Sequence, residues 1–115
     1  PFHDELFIAV KGHGTFLNGR RVSVSSSRRV QDSIVDTEFG YMRDPEKLAT
    51  IFDCMRRVLE AGARGVRQLG SGVVDLAYVA CGRLDAVYAG VAGEGWKPWD
   101  HSAGSLMVTE AGGGK

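Results

Sequence analysis

The 115-residue sequence has few cysteines, no net charge and no long apolar run, and each absence excludes a class of protein. Cys54 and Cys81 are too few for a disulfide framework. Both fall in apolar helical patterns, so we expect reduced, buried thiols. The formal net charge of zero offers no electrostatic footprint for nucleic acid or a membrane surface. No apolar run reaches the roughly 20 residues of a membrane helix, and no signal peptide is visible. These absences favour a cytoplasmic location and leave open a targeting segment ahead of Pro1.

The sequence does have the hydrophobic fraction of a globular chain, 43%, and a length that fits one small domain. Residues 5–10 have the pattern of a strand. Asn18-Gly19 lies between Phe16-Leu17 and Arg20-Arg21-Val22 and is a strong signal for a two-residue hairpin turn, because both residues tolerate positive φ. We therefore expect an antiparallel hairpin region over residues 1–24.

Residues 33–115 alternate between strand and helix patterns. The predicted strands cover 33–37, 65–69 and 84–89, and the predicted helices cover 45–62, 73–81 and 100–111. The second of these helices is apolar almost all round, which predicts that it is buried. This β-α-β-α-β-α order predicts a largely parallel sheet with helices against it, and thus a mixed α/β fold. Ligands bind outside the carboxyl ends of the strands in such sheets.

Asp100 is a candidate site residue because of its position on the third predicted helix. A helix that begins there places Asp100 in the same arc as small and apolar residues such as Gly104 and Val108. A charge on a buried face needs a partner, and a metal ion at the start of the helix would provide one. The alternative is that Asp100 caps the helix, with Pro98 at its start. Spacing alone supports the two interpretations equally.

Four other candidate site residues lie in turns and loops. Gly70-Ser71-Gly72, at a strand-to-helix turn, could offer backbone N–H groups to an anion, although spacing alone favours a plain turn with Ser71 as helix cap. Tyr41 could line a pocket or cover the sheet, and the second interpretation is favoured. Asp75 is interpreted as a charge in the first turn of a helix and Asp85 as a charge at a strand edge. Glu110 has no assigned role.

Residues 99–113 have the pattern W-D-x-x-A-G-x-x-x-V-x-E-A-G-G, which resembles the C-terminal signature of the inositol monophosphatase family. Members are magnesium-dependent, lithium-sensitive sugar phosphatases with a five-layered αβαβα fold. The resemblance implies that Asp100 is a ligand of Mg²⁺ and that Gly70, Ser71 and Gly72 bind substrate. It also places Tyr41 in a loop near the sugar, at a position where the family often has Ser.

The sequence departs from the family pattern in two places. The upstream Asp-Pro-x-Asp-Gly-Thr motif and an earlier Glu are absent, so we expect residues 1–115 to be one partial domain, the C-terminal portion of a phosphatase, and to be inactive alone. Ala89 stands where inositol-type members have a sugar-binding Glu. Glu94, in the long loop that follows, could replace that carboxylate as a substrate-binding residue or could be a solvated charge, and both interpretations are open.

The resemblance implies magnesium-dependent hydrolysis of a small phosphorylated polyol, with inositol monophosphate as the first candidate. Same-fold alternatives act on histidinol phosphate, a sugar bisphosphate or phosphoadenosine phosphate. An alternative from another class is a non-catalytic module that binds a phosphorylated ligand or a partner. The resemblance also implies a homodimer for the full-length protein.

Overall fold

Two three-stranded sheets and three α-helices make up the computed structural model, which describes residues 2–93 and 95–114. In chain order the elements are β1 (Phe7–Val10), β2 (Gly14–Leu17), β3 (Arg20–Val22), β4 (Ile34–Thr37), α1 (Pro45–Glu60), β5 (Gly65–Arg67), α2 (Gly72–Ala80), β6 (Ala86–Tyr88) and α3 (Pro98–Glu110). A short 3₁₀ turn at Val30–Asp32 precedes β4. The mixed α/β fold predicted from the sequence is confirmed.

The first sheet is an antiparallel meander in the order β1-β2-β3. The predicted turn joins β2 to β3, with φ of 49° at Asn18 and 77° at Gly19, so both residues have the left-handed backbone that this turn requires. The Asn18 side chain also accepts a hydrogen bond from the Leu6 amide (2.8 Å) and donates one to the Asp4 carbonyl (3.0 Å). Asn18 therefore fixes both the turn and the chain that leads into β1.

The second sheet is parallel, in the order β5-β4-β6, with α1 and α2 as crossover helices. Asp44 caps α1 as predicted, because its carboxylate accepts from the Lys47 amide at 2.9 Å. The strands are shorter than predicted, and β6 covers only Ala86–Tyr88. α3 begins at Pro98, two residues earlier than predicted, since proline suits the first helical position.

The core forms where α2 packs on α3 and β6. It contains the buried side chains Leu76, Val79, Ala80, Leu84, Val108 and Ala111. Gly104 permits the close approach of the two helices, because a Cβ added there would lie 2.5 Å from the Leu76 Cβ. The expectation that α2 is buried all round is only partly correct: Val73 and Val74 remain 36% and 40% exposed. Cys54 and Cys81 are free thiols, but both are only half-buried.

Glu110 ties the meander to α3. Its two carboxylate oxygens accept hydrogen bonds from the amides of Gly12 (2.9 Å) and Gly14 (3.0 Å), which hold the pKa of Glu110 below its usual value. The Thr15 hydroxyl adds a bond to the Met107 carbonyl at 2.7 Å. These contacts supply the role for Glu110 that the sequence did not reveal. Across the described part of the chain, no helix has the length and apolar character needed to span a bilayer.

We expect Gly104→Ala to lower the free energy of unfolding by about 1–3 kcal/mol, because the new methyl group would collide with Leu76. Intrinsic helix propensity alone would favour alanine. Urea denaturation measures the change, and Gly114→Ala is the control because a Cβ there meets nothing within 4 Å. Unchanged stability in Gly104→Ala would contradict the close helix contact.

Candidate active site

A cleft of about 550 Å³ opens at the carboxyl ends of β4 and β5. Three segments form its walls: the loop after β4, the turn before α2 and the segment that leads into α3. The sequence-predicted residues that line it are Tyr41, Gly70, Ser71, Gly72 and Asp100. Glu94 lies outside the described residues. The structure therefore brings together five candidates that are spread over 60 positions of the chain, at the sheet edge where ligands were expected.

Asp100 lies in the first turn of α3 and is half-buried. Its Oδ2 accepts a hydrogen bond from the Lys97 amide at 2.9 Å, which forms part of a capping box at the start of the helix. The capping interpretation of Asp100 is correct in part: its carboxylate caps the helix start, but Lys97 is the N-cap residue and Asp100 is at the third helical position. It does not displace the metal-ligand prediction, because the residue also lines the cleft and Oδ1 is not the oxygen that accepts from Lys97.

The Gly70-Ser71-Gly72 turn has a backbone that only certain residues permit. Gly70 has a φ of 93°, and a Cβ on Gly72 would lie 2.8 Å from the Trp96 ring. Ser71 is the N-cap residue of α2, as predicted, but its side chain makes no capping hydrogen bond. The Gly70 amide already donates to the Glu38 carboxylate at 2.6 Å.

Tyr41 lies at the rim of the cleft with 99% of its surface exposed. A side chain that is almost fully exposed covers no sheet surface. The favoured sequence interpretation of Tyr41 is therefore wrong, and the pocket-lining alternative remains a prediction.

A cluster of carboxylates that the sequence analysis missed lies next to the cleft. One oxygen from each of Asp36, Glu38 and Asp75 lies within 4.8 Å of the others. Asp36 is in β4, Glu38 follows that strand and also lines the cleft, and Asp75 is in the first turn of α2. Asp75 was predicted to be a first-turn charge, and its position is correct, but it is fully buried, as is Asp36. The signal in the sequence was the position of Glu38 directly after β4 and of Asp75 after β5, because the carboxyl ends of these two parallel strands meet at one edge of the sheet.

Burial makes the two aspartates hard to ionise. Burial first, and then the charges of Asp36 and Glu38, raise the pKa of Asp75 to about 7. Burial and the charge of Glu38 raise the pKa of Asp36 to about 6, although the nearby Asp75 carboxyl and Leu69 amide offset part of the rise. Without a cation, both carboxyls are therefore held in their neutral forms at mildly acidic pH.

In the presence of a chelator, we expect the free energy of unfolding to fall as the pH rises from 5 to 8. The unfolded chain has released these two protons above about pH 4, whereas the folded chain keeps them until about pH 6 and 7. Folding is therefore favoured near pH 5, and the free energy of unfolding is expected to fall on the order of 3 kcal/mol by pH 8. Denaturation at several pH values measures it.

The matched control for this pH dependence is Asp75→Asn, which is expected to flatten the profile because the amide does not titrate. Carboxylates with a lowered pKa, such as Glu110, change protonation at a lower pH and do not produce the same slope. Equal slopes in the wild type and in Asp75→Asn would show that the buried pair does not titrate in this range.

The sequence matches the model of the inositol monophosphatase family over residues 1–114. It is 40% identical over 113 residues to an inositol monophosphatase of Dictyostelium discoideum and 42% identical over 113 residues to inositol monophosphatase 2 of Solanum lycopersicum. Another relative, Nus factor SuhB of Haemophilus influenzae, is 41% identical over 113 residues. Each alignment covers 98% of this chain but only 40–41% of the relative.

Solved structures show the same fold. The extragenic suppressor protein suhB of Bartonella henselae superposes with a TM-score of 0.84 at 40% identity, over 97% of this chain and 40% of that one. The inositol monophosphatase of Anabaena superposes with a TM-score of 0.82 at 36% identity, over 97% of this chain and 42% of that one. The chain thus spans about 40% of the length of the relatives it matches.

Proposed function

Since the chain belongs to the inositol monophosphatase family, we propose that it supplies substrate-binding and metal-binding elements of a magnesium-dependent phosphatase that acts on a small phosphorylated polyol. One observation carries the proposal: the residues that match the family's functional positions, Asp100 and Gly70-Ser71-Gly72, line one cleft. The relatives named inositol monophosphatase favour inositol monophosphate as the first substrate to test.

Asp100 can contribute one carboxylate oxygen to a magnesium site. Mg²⁺ prefers oxygen ligands in octahedral order, and Asp100 brings one carboxylate to the cleft. Its Oδ2 is engaged by the Lys97 amide, so Oδ1 is the oxygen it offers. The family resemblance implies that the other ligands belong to an Asp-Pro-x-Asp-Gly-Thr motif, which is not among these 115 residues. When bound, the ion would supply Lewis-acid stabilisation of charge that develops on the phosphate.

The remaining cleft residues bind and orient the substrate. α2 and α3 both begin at the cleft, so their amino-terminal dipoles favour an anionic ligand there. The Ser71 hydroxyl does not cap α2, and in this proposal it bonds a substrate hydroxyl. The Trp96 ring packs against Gly72 and forms an apolar wall for one face of the sugar. Lys97 adds one positive charge to the lining of the cleft.

A second candidate function is a non-catalytic binding module of the same fold. The name of the Haemophilus influenzae relative, a Nus factor, favours this candidate. Phosphate release from a panel of inositol monophosphate, histidinol phosphate and a sugar bisphosphate separates the two functions. Turnover of at least one substrate supports the phosphatase, whereas ligand binding without phosphate release supports the module.

We expect Asp100→Asn to reduce turnover of the complete protein by roughly 100-fold or more, because an amide is a poor ligand for Mg²⁺. Stability is expected to change little, since the amide oxygen can still accept from Lys97. Phosphate release under saturating substrate measures the effect. Asp44→Asn is the control: it changes a capping carboxylate of the same kind at α1, outside the cleft lining. Full activity in Asp100→Asn would refute the assignment of Asp100 as a metal ligand.

Ser71→Ala is expected to raise KM by roughly fivefold, which corresponds to one lost hydrogen bond of about 1 kcal/mol. The hydroxyl makes no capping bond, so the free energy of unfolding should not change. Steady-state kinetics together with thermal denaturation test both halves of the prediction. Ser26→Ala, at an exposed position in the connector between the sheets, is the control. An unchanged KM would remove Ser71 from the substrate site.

A further inference from the structure

The carboxylates of Asp36, Glu38 and Asp75 have no part in the proposed hydrolysis. Their close arrangement is nevertheless expected to destabilise the folded protein if all three are charged. Asp36 and Asp75 are fully buried, and within residues 2–93 and 95–114 none of their four carboxylate oxygens has a partner within hydrogen-bond distance and geometry. Buried carboxylates are expensive unless they are paired, protonated or bound to a metal. Such a cluster therefore needs a neutralising group.

In the part of the chain that the structure describes, no cationic side chain neutralises the cluster. Among residues 2–93 and 95–114, no lysine, arginine or histidine forms an ion pair with any of the three carboxylates. Among the described residues, Glu38 Oε1 accepts a hydrogen bond from the Gly70 amide. The Glu38 Oε2 atom and the four aspartate oxygens are thus the atoms that a bound ion would satisfy.

We propose that Asp36, Glu38 and Asp75 form a binding site for a hard divalent cation, separate from the site at Asp100. The ligands are all oxygens, which selects hard cations and disfavours zinc or copper. Their separation of at most 4.8 Å allows one ion to contact all three at Ca–O distances of 2.3–2.6 Å. Burial favours Ca²⁺ over Mg²⁺, because Mg²⁺ usually keeps several waters.

The proposed ion has a structural consequence for the cleft. Asp36 is part of β4, Asp75 is part of α2, and Glu38 joins the ion to the Gly70 amide. One cation would therefore connect the end of the central strand to the turn that forms a wall of the cleft. It would stabilise that turn in the conformation that the proposed substrate site requires.

Cation binding to the chelator-treated protein at pH 8 tests the proposal, with no substrate present. Ca²⁺, Mg²⁺ and Mn²⁺ are each titrated alone by calorimetry, and bound metal is counted by mass spectrometry after dialysis. The wild type should bind one more equivalent than Asp36→Asn/Asp75→Asn and should show a larger rise in Tm. The control, Asp32→Asn/Asp44→Asn, carries the same change of charge at exposed positions and should bind as the wild type does.

Glu38→Gln provides a second test in case the double variant does not fold. Its amide oxygen can still accept from Gly70, and its half-buried position at the cleft tolerates the change. Loss of one ligand charge should weaken cation binding on the order of tenfold or more. Equal stoichiometry and affinity in the wild type, Glu38→Gln and the double variant would overturn the proposal. Asp100→Asn should leave this equivalent in place, so failure of the active-site proposal is distinguishable.

Discussion

The close packing of α2 against α3 at Gly104 and Leu76 determines the arrangement of the remaining elements. α2 begins at Gly72 and α3 at Pro98, and both starts lie at the same cleft. A side chain at position 104 would separate the helices and move the Gly70-Ser71-Gly72 turn away from Asp100. The other end of α3 holds the antiparallel meander through Glu110, so one helix links both sheets to the cleft.

The electrostatic balance of the cleft follows from this packing. Two helix starts attract anions, but four carboxylates, Asp36, Glu38, Asp75 and Asp100, lie in or beside the same region. Asp100 and Glu38 each accept a hydrogen bond from a backbone amide, whereas the carboxylates of the two buried aspartates have no such partner in the described part of the chain. Divalent cations would balance the negative charge of these carboxylates and so allow a phosphorylated ligand to bind beside them. Both metal-binding proposals depend on this charge balance.

Local chemistry in the sequence was sufficient to predict most of the elements. Asn18-Gly19 gave the hairpin turn and Asp44-Pro45 the start of α1, because each depends on the conformational preference of neighbouring residues. The alternation of strands and helices gave the parallel sheet. Element ends were less accurate: Pro98 set the start of α3 ahead of Asp100, and β6 is shorter than its apolar run.

Contacts between distant parts of the chain were not predictable from local pattern. Glu110 accepts hydrogen bonds from two backbone amides. Because every residue except proline has a backbone amide, the sequence does not show which amides will be its partners. Asp75 comes shortly after the Gly-Ser-Gly turn, so in the sequence it looks like an ordinary solvent-exposed residue of a first helical turn. Its burial beside Asp36 arises from the tertiary packing of α2, which the local pattern does not encode. The family resemblance, in contrast, pointed to Asp100 and the Gly70-Ser71-Gly72 turn as candidates without knowledge of the packing, and both line one cleft.

The most direct test of the central claim is a crystal structure of the complete protein with Mn²⁺ and inorganic phosphate, with metal positions taken from anomalous scattering. We expect a metal peak bonded to Asp100 in the cleft and phosphate density beside it, near Gly70-Ser71-Gly72. A map with no metal at Asp100, or with phosphate bound elsewhere, would contradict the assignment of this cleft as the active site.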